Sequence, residues 1–126
     1  MNVLVAENRG VTAKLLRHAG HDVTIARSGL EVGELTARRS FHAIVLGPLG
    51  PGTESLMVCD ALRRQGNAIP IVLLVSRDGV EARVEGLDAG ADDCLPVGCQ
   101  VDELLARLRA LVRRTVAAEP TRRPSQ

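Results

Sequence analysis

The sequence predicts an α/β domain, (βα)5, in which five strand–helix units form a doubly wound, parallel, five-stranded sheet. Short apolar runs alternate with longer amphipathic stretches along the whole chain. The strand runs are continuously apolar, which is typical of parallel sheets whose two faces are both covered by helices. The length of 126 residues, with 45% apolar and 25% charged residues, is that of one globular domain with its own core.

The first two strand–helix units lie in the N-terminal third of the chain. Asn2–Ala6 is rich in valine and predicts a strand, and apolar residues at helical spacing predict a helix over 11–19. Asp22–Ala26 predicts the second strand. The helix that follows spans 28–38, because Ser28 is a favourable N-cap and apolar residues recur after it at helical spacing.

The middle of the chain contains the third unit and the fourth strand. Ala43–Leu46 predicts a buried strand, and the glycines and prolines of 47–52 predict a loop after it. An amphipathic helix is expected over 54–65, where a Gly-Asn pair ends it. The run 70–75 is the longest uninterrupted apolar run in the sequence and therefore the strongest strand signal.

The C-terminal third completes the pattern. A helix is predicted over 79–89, a short strand over 93–95, and the most regular amphipathic helix over 101–116. Residues 117–126 contain two prolines and no apolar periodicity. This last segment is therefore expected to be a linker or a disordered tail.

The composition excludes several functional classes. Phe41 is the one aromatic residue, which argues against nucleic-acid-binding folds that stack bases on aromatic side chains. The net charge of +1 does not indicate a DNA-binding surface on this domain. His18, His21 and His42 have no Ser, Cys or acidic partner at a predicted strand end, so no enzymatic activity is expected.

The number and spacing of the three cysteines indicate the cellular compartment and whether a metal site is expected. Cys59, Cys94 and Cys99 form no CxxC pair and no Cys/His spacing typical of metal ligands. An odd number of cysteines without a signal peptide is typical of a reducing cytoplasm. The longest apolar run is too short to cross a bilayer. We therefore expect a cytoplasmic domain without membrane segment, metal or cofactor.

Five segments of the sequence carry a resemblance to a known family. They are NVLVAEN, AGHDVTIARSG, FHAIVLGPLGPG, IPIVLLVSRDGVEARVEGLDAGADDCL and DELLARLRALVRR. On these segments the chain resembles the receiver domain of bacterial two-component response regulators, of the OmpR/PhoB type fused to a winged-helix DNA-binding domain. The resemblance implies a flavodoxin-like strand order, 2-1-3-4-5, and a receiver domain at 1–116. It also implies that 117–126 leads to a DNA-binding domain absent from this chain.

Typical members of that family hold Mg²⁺ with an acidic pair and a central aspartate, which attacks a phosphoryl donor. A Thr or Ser and a Lys contact the phosphoryl group, and an aromatic residue on the fifth strand reorients. The resemblance places the following residues at these positions: Glu7 and Asn8 at the acidic pair, Gly47 at the aspartate, Val75 at the hydroxyl residue, Cys94 at the aromatic and Val97 at the lysine. It therefore implies a degenerate site that is not phosphorylated in the usual way.

The resemblance also implies a two-fold dimer face on the fourth helix, fifth strand and fifth helix. Its expected apolar centre consists of Val84, Leu87 and Ala106. The expected ion pairs around this centre are Arg83 with Glu103, Asp93 with Arg107, and Asp92 with Arg109. Paired opposite charges satisfy the self-complementarity that a two-fold interface requires.

The leading hypothesis is thus a phosphorylation-independent receiver that dimerises and serves as the signal-input module of a transcriptional regulator. One alternative is a small-molecule sensor that uses the altered pocket around Gly47, Val75, Val97 and Gly98. A stand-alone protein–protein adaptor is another. A redox switch at Cys94 and Cys99 would require a nearby cation or helix N-terminus to favour the thiolate.

Overall fold

The computed structural model describes residues 1–50, 53–76 and 80–118. It confirms the five alternating strand–helix units. In chain order they are β1 (Asn2–Ala6), α1 (Val11–His18), β2 (Asp22–Ala26), α2 (Gly29–Arg38), β3 (Ala43–Leu46), α3 (Glu54–Arg64), β4 (Ile71–Val75), α4 (Val80–Asp88), β5 (Asp93–Pro96) and α5 (Val101–Ala118). The predicted helix start at Gly79, the end of the predicted loop at 51–52 and the predicted tail at 119–126 lie outside the described residues.

The five strands form one parallel sheet in the order β2-β1-β3-β4-β5, as the resemblance implied. Val5 of β1 pairs with Ile25 on one side and with Val45 on the other, so β1 and β3 are direct neighbours. The strand order reverses at this pair, and ligand sites of open α/β sheets lie beyond the carboxyl ends of such strands.

Apolar layers cover both faces of the sheet. Val3 and Val5 of β1 belong to the layer under α1 and α5, whereas Leu4 and Ala6 belong to the layer under α2, α3 and α4. This division follows from the strand geometry, because successive side chains point to opposite faces. Two covered faces require apolar residues at every strand position, which explains the continuous apolar runs in the sequence.

The described element boundaries agree with the prediction to within one residue, except for the end of α5, and three of the differences have identifiable reasons. Pro70 lies before β4, because it has no N–H to donate to the ladder, although its carbonyl still accepts the N–H of Ile44 at 2.8 Å. Strand β5 includes Pro96, since the next N–H, of Val97, donates to the carbonyl of Val75 at 2.8 Å. Helix α5 continues to Ala118, so the first two residues of the predicted tail are helical.

Arg63 of α3 ties together the loops at the amino ends of β4 and β5. Its guanidinium donates to the carbonyls of Gly90, Asn67 and Ile69 at 2.8, 2.9 and 2.8 Å, and to the Asp92 carboxylate at 2.9 Å. Gly90 has φ 110°, and a Cβ there would lie 2.5 Å from Cγ of Arg63. Glycine is therefore required at this position by both the backbone and the arginine packed against it.

Replacing Arg63 by Met should lower the free energy of unfolding by about 2–4 kcal/mol, because several backbone carbonyls and one carboxylate lose a charged donor. Urea denaturation of the purified domain measures this change. The matched control is Arg64→Met, since the Arg64 side chain is 80% exposed and pairs with Asp60 one turn away; its effect should stay below about 1 kcal/mol. Equal effects of the two substitutions would contradict the assigned role of Arg63.

Candidate functional site

The carboxyl ends of β1, β3, β4 and β5 meet at one edge of the sheet. The residues that follow these strands are Glu7, Gly47, Ser76 and Val97. Glu7 is the one buried charged residue in the described part of the chain, with 6% of its surface exposed. The edge therefore combines one buried carboxylate with a glycine, an exposed serine and a half-exposed valine.

Glu7 stabilises the start of α1. Its Oε2 accepts the backbone N–H of Ala13 at 3.0 Å, and its own N–H donates to the carbonyl of Ala26 at 3.2 Å. The N-cap residue of α1 is Gly10, at φ 77°, which has no side chain to cap the helix. The Glu7 carboxylate supplies the missing acceptor and places a negative charge at the positive end of the helix dipole.

Gly47 packs directly against Glu7. Its N–H donates to the carbonyl of Ala6 at 2.7 Å, and its own carbonyl accepts the hydroxyl of Ser55 at 2.6 Å. A Cβ at position 47 would lie 3.1 Å from Cβ of Glu7 and 3.3 Å from the carbonyl oxygen of Ala6. Any side chain at this position would require Glu7 to shift, and glycine itself offers no nucleophile.

At the ends of β4 and β5, Val75 and Val97 carry neither a hydroxyl nor an ammonium group. Val75 packs against the apolar layer under α3 and α4, and Val97 is 49% exposed. Ser76 and Asn8 are exposed. Lys14, the one lysine of the chain, lies on α1 and is also exposed, so no ammonium group stands at the end of β5.

The four residues of the predicted pocket, Gly47, Val75, Val97 and Gly98, do not all line one cleft. Val97 and Gly98 line a cleft of about 450 Å³ between α1 and the β5–α5 loop, whereas Val75 lines a separate cleft of about 470 Å³ beside α4. Gly47 lines neither of them. The two clefts adjoin each other at Pro48 and Leu74, which line both.

Sequence reasoning missed the walls of the first cleft. They include Val11, Thr12 and Leu15 of α1 together with Val101 and Leu104 of α5. The available signal was the pair Val11 and Leu15, one turn apart on α1, which remain 58% and 43% exposed. Exposed apolar residues beside a strand-end cleft are informative, because a helix of this kind normally buries them.

Cys94 lies under α4, where the helix approaches β5 most closely. A Cβ at Gly86 would lie 2.5 Å from Sγ of Cys94 and 2.7 Å from Cδ2 of Leu73. The small residues at 86 and 94 therefore allow close packing of α4 on the sheet. Their contact leaves no space for a larger side chain directed toward α4 at either position.

Burial holds all three thiols in the protonated form. It raises the pKa of Cys59 to about 11 and, together with Asp93, raises the pKa of Cys94. Burial and then Glu103 raise the pKa of Cys99, even though this residue lies just before α5. Raised pKa values reduce the fraction of thiolate at neutral pH, which weighs against the redox hypothesis.

The predicted dimer residues occupy one side of the molecule. Val84 and Leu87 of α4 are each 48% exposed, and Ala106 of α5 is also exposed. Within one chain Arg107 lies 3.3 Å from Asp93. These apolar side chains are therefore exposed and Arg107 pairs with Asp93, whereas their membership of one interface stays a prediction.

Two further charges of the expected dimer face have partners within the chain. Arg107 also lies 4.0 Å from Glu103. Asp92 accepts hydrogen bonds from Arg63 at 2.9 Å and from the N–H of Ile71 at 2.8 Å, so its carboxylate is already held without Arg109. The Asp92 pair is thus the member of the predicted set that the fold supports least.

The described residues contain neither a membrane-spanning helix nor a group of metal ligands. None of the described helices is long and apolar enough to span a bilayer. Across residues 1–50, 53–76 and 80–118, no three His, Cys, Asp or Glu side chains are grouped as metal ligands would be.

Sequence comparison finds the same family over most of the chain. The family described as response regulator receiver domain matches residues 5–109. The response regulator MprA of Mycobacterium leprae (strain TN) is 43% identical over 119 residues, which are 91% of this chain and 52% of that protein. MprA of Mycobacterium ulcerans (strain Agy99) is 44% identical over 116 residues, 90% of this chain and 50% of that protein. This chain thus spans about half the length of these relatives.

Solved structures agree with this result. The receiver domain of the Francisella response regulator 1452 superposes with a TM-score of 0.82 at 30% identity, covering 90% of this chain and 98% of that one. The BeF3-activated N-terminal receiver domain of Klebsiella pneumoniae RstA superposes with a TM-score of 0.78 at 29% identity, covering 90% and 99%. With a match over most of its sequence and the same fold, the chain belongs to the response regulator receiver domain family.

Proposed function

We propose that this chain is a phosphorylation-independent receiver, which dimerises and acts as the signal-input module of a transcriptional regulator. The observation that carries the proposal is the packing of Gly47 against Glu7, where a Cβ would lie 3.1 Å from Cβ of the glutamate. A phosphorylatable receiver needs a carboxylate at the end of β3. Here that position has no side chain, and a Cβ would require Glu7 to give by a few tenths of an ångström.

The surrounding chemistry supports the same interpretation. Transfer of a phosphoryl group needs a nucleophile and groups that neutralise the charge of its oxygens. Val75 and Val97 supply neither a hydroxyl nor an ammonium group. Glu7 uses one oxygen to hold α1, and Asn8 cannot act as a second acid. No enzymatic activity is expected of such a site.

The packing of α4 offers a reason why no phosphorylation is needed. In typical receivers an aromatic residue on the fifth strand moves when the phosphoryl group is bound. Cys94 stands at that position, and its thiol lies where Gly86 lets α4 approach the sheet. Because a Cβ at Gly86 would lie 2.5 Å from this thiol, we propose that the packing of Cys94 against α4 sets the position of the helix.

The exposed surface of α4, β5 and α5 is the proposed two-fold interface. Val84, Leu87 and Ala106 offer an apolar centre, and burial of such a centre supplies most of the association free energy. The Asp93–Arg107 pair borders it. Exposed ion pairs at such a border fix register and partner choice more than affinity.

The connection to transcription rests on the relatives named response regulator MprA, whose length is about twice that of this chain. We propose that DNA is contacted through a C-terminal domain that follows α5. One receiver dimer would hold two DNA-binding domains together. Once the first domain has bound its half-site, the second would bind the paired half-site with a raised effective concentration.

Neither the wild-type domain nor its Gly47→Asp variant should respond to BeF3⁻ with Mg²⁺, because Val75 and Val97 offer no hydroxyl or ammonium group and Asn8 offers no second acid beside Glu7. Titration followed by two-dimensional NMR measures the response, and the Klebsiella RstA receiver, solved in its BeF3-activated form, is the positive control. Gly47→Asp should also destabilise the domain by about 1–3 kcal/mol, since the new side chain displaces Glu7. Saturable shifts at the strand ends of either protein would contradict the proposal.

The isolated domain should sediment as a dimer at high micromolar concentration without any phosphoryl donor. Glu103→Arg should weaken the dimer by about tenfold or more, and adding Arg83→Glu should restore much of the loss if those charges meet across the interface. The control is Glu34→Arg, an exposed reversal on α2 away from this face. A monomeric wild-type domain, or a Glu103→Arg variant with unchanged sedimentation, would contradict the interface.

A further inference from the structure

We propose that the cleft between α1 and the β5–α5 loop binds a small apolar molecule that carries an ammonium group, with the Glu7 carboxylate as its polar anchor. This inference rests on the proposed function, because a phosphorylatable receiver would need Glu7 for its metal. It adds a ligand class and a location that the phosphorylation argument does not supply.

The walls of the cleft are mostly aliphatic. Leu15, Leu74, Val97, Val101 and Leu104 line it from α1, β4, the β5–α5 loop and α5. Its volume of about 450 Å³ lies in the range of small-molecule sites in proteins. Leu15 and Val97 keep 43% and 49% of their surface exposed, so a ligand would cover apolar area that now faces water.

Glu7 provides one carboxylate oxygen that is available to accept a hydrogen bond. Its Oε2 accepts the N–H of Ala13, but Oε1 has no hydrogen-bond partner among the described residues. No fully buried side-chain oxygen or nitrogen in that part of the chain lacks a partner. Oε1 therefore keeps some solvent-accessible surface. Glu7 is one of the residues that line this cleft.

An ammonium group suits this anchor better than a metal ion or an anion. Mg²⁺ requires several oxygen ligands in a fixed geometry, and the neighbours of Glu7 at the strand ends include Gly47 and Val97 rather than further carboxylates. An ammonium needs one carboxylate oxygen, and the hydrogen bond is charge-assisted. Arg9 also lines the cleft, but its side chain is exposed, so its charge is screened by water.

The test uses three compounds of one shape and different charge: adamantylamine, adamantanol and adamantanecarboxylate. NMR titration of the wild-type domain should show saturable shifts at Val11, Leu15 and Val101 with the amine. Binding of the alcohol should be weaker by about tenfold or more, as for loss of one charge-assisted hydrogen bond. The carboxylate should bind still more weakly, because it meets Glu7.

Two variants locate the binding. Glu7→Gln keeps an amide oxygen for the N–H of Ala13 but loses the charge, so the amine should bind about as weakly as the alcohol. Val97→Trp, at a half-exposed position, should weaken all three compounds by filling the cleft. The control is Leu30→Gln on α2, which is 75% exposed and does not line the cleft, so it should change nothing.

The inference fails if the amine does not bind saturably, if the carboxylate binds at least as well as the amine, or if Glu7→Gln retains the full preference for the amine. BeF3⁻ titration and sedimentation of the same protein samples separate this result from the proposed function. A dimer that ignores BeF3⁻ but does not bind the amine overturns the ligand site alone. A BeF3⁻ response overturns the proposed function whatever the amine does.

Discussion

The Glu7 carboxylate lies where β1 turns toward α1, and its hydrogen bond to the N–H of Ala13 holds the first turn of that helix. The rest of the strand-end edge is arranged around this side chain. Gly47 packs against it, and a Cβ at this position would lie 3.1 Å from Cβ of Glu7. The remaining opening lies on the far side of Glu7, between α1 and α5, and it is apolar because aliphatic residues of both helices face it.

Helix α5 connects this cleft to the proposed dimer surface. Leu104 lines the cleft, while Glu103 and Arg107, on the same helix, are exposed and lie 4.0 Å apart. A ligand could shift the dimer only through different affinities for the two states of this helix. On the other side of β5, the contact between Gly86 and Cys94 fixes α4, so α5 and its preceding loop are the part of the interface nearest to the cleft.

The fold was predictable because its signals are local and repeated. Continuous apolar runs mark strands buried on both faces, and glycines mark the helix ends. The division of the strand-end residues between two clefts could not be predicted, because the sequence does not show that Glu7 accepts the N–H of Ala13 or that the N–H of Val97 joins β5 to β4. Long-range partners were equally hidden, since Asp92 pairs with Arg63, which is 29 residues away and belongs to no recognisable motif. The residue types at Gly47, Val75 and Val97 could be read directly, and only the geometry around them required coordinates.

We propose that this receiver dimerises and acts as a signal-input module without a phosphoryl group at the carboxyl ends of its strands. Intact-mass analysis after incubation with acetyl phosphate and Mg²⁺ tests it most directly, with the purified domain at neutral pH and a phosphorylatable receiver treated in parallel. The mass of this domain should stay unmodified, whereas the parallel sample should gain a phosphoryl adduct. A stoichiometric adduct on this domain, mapped to a residue at the carboxyl ends of β1, β3, β4 or β5, would contradict it.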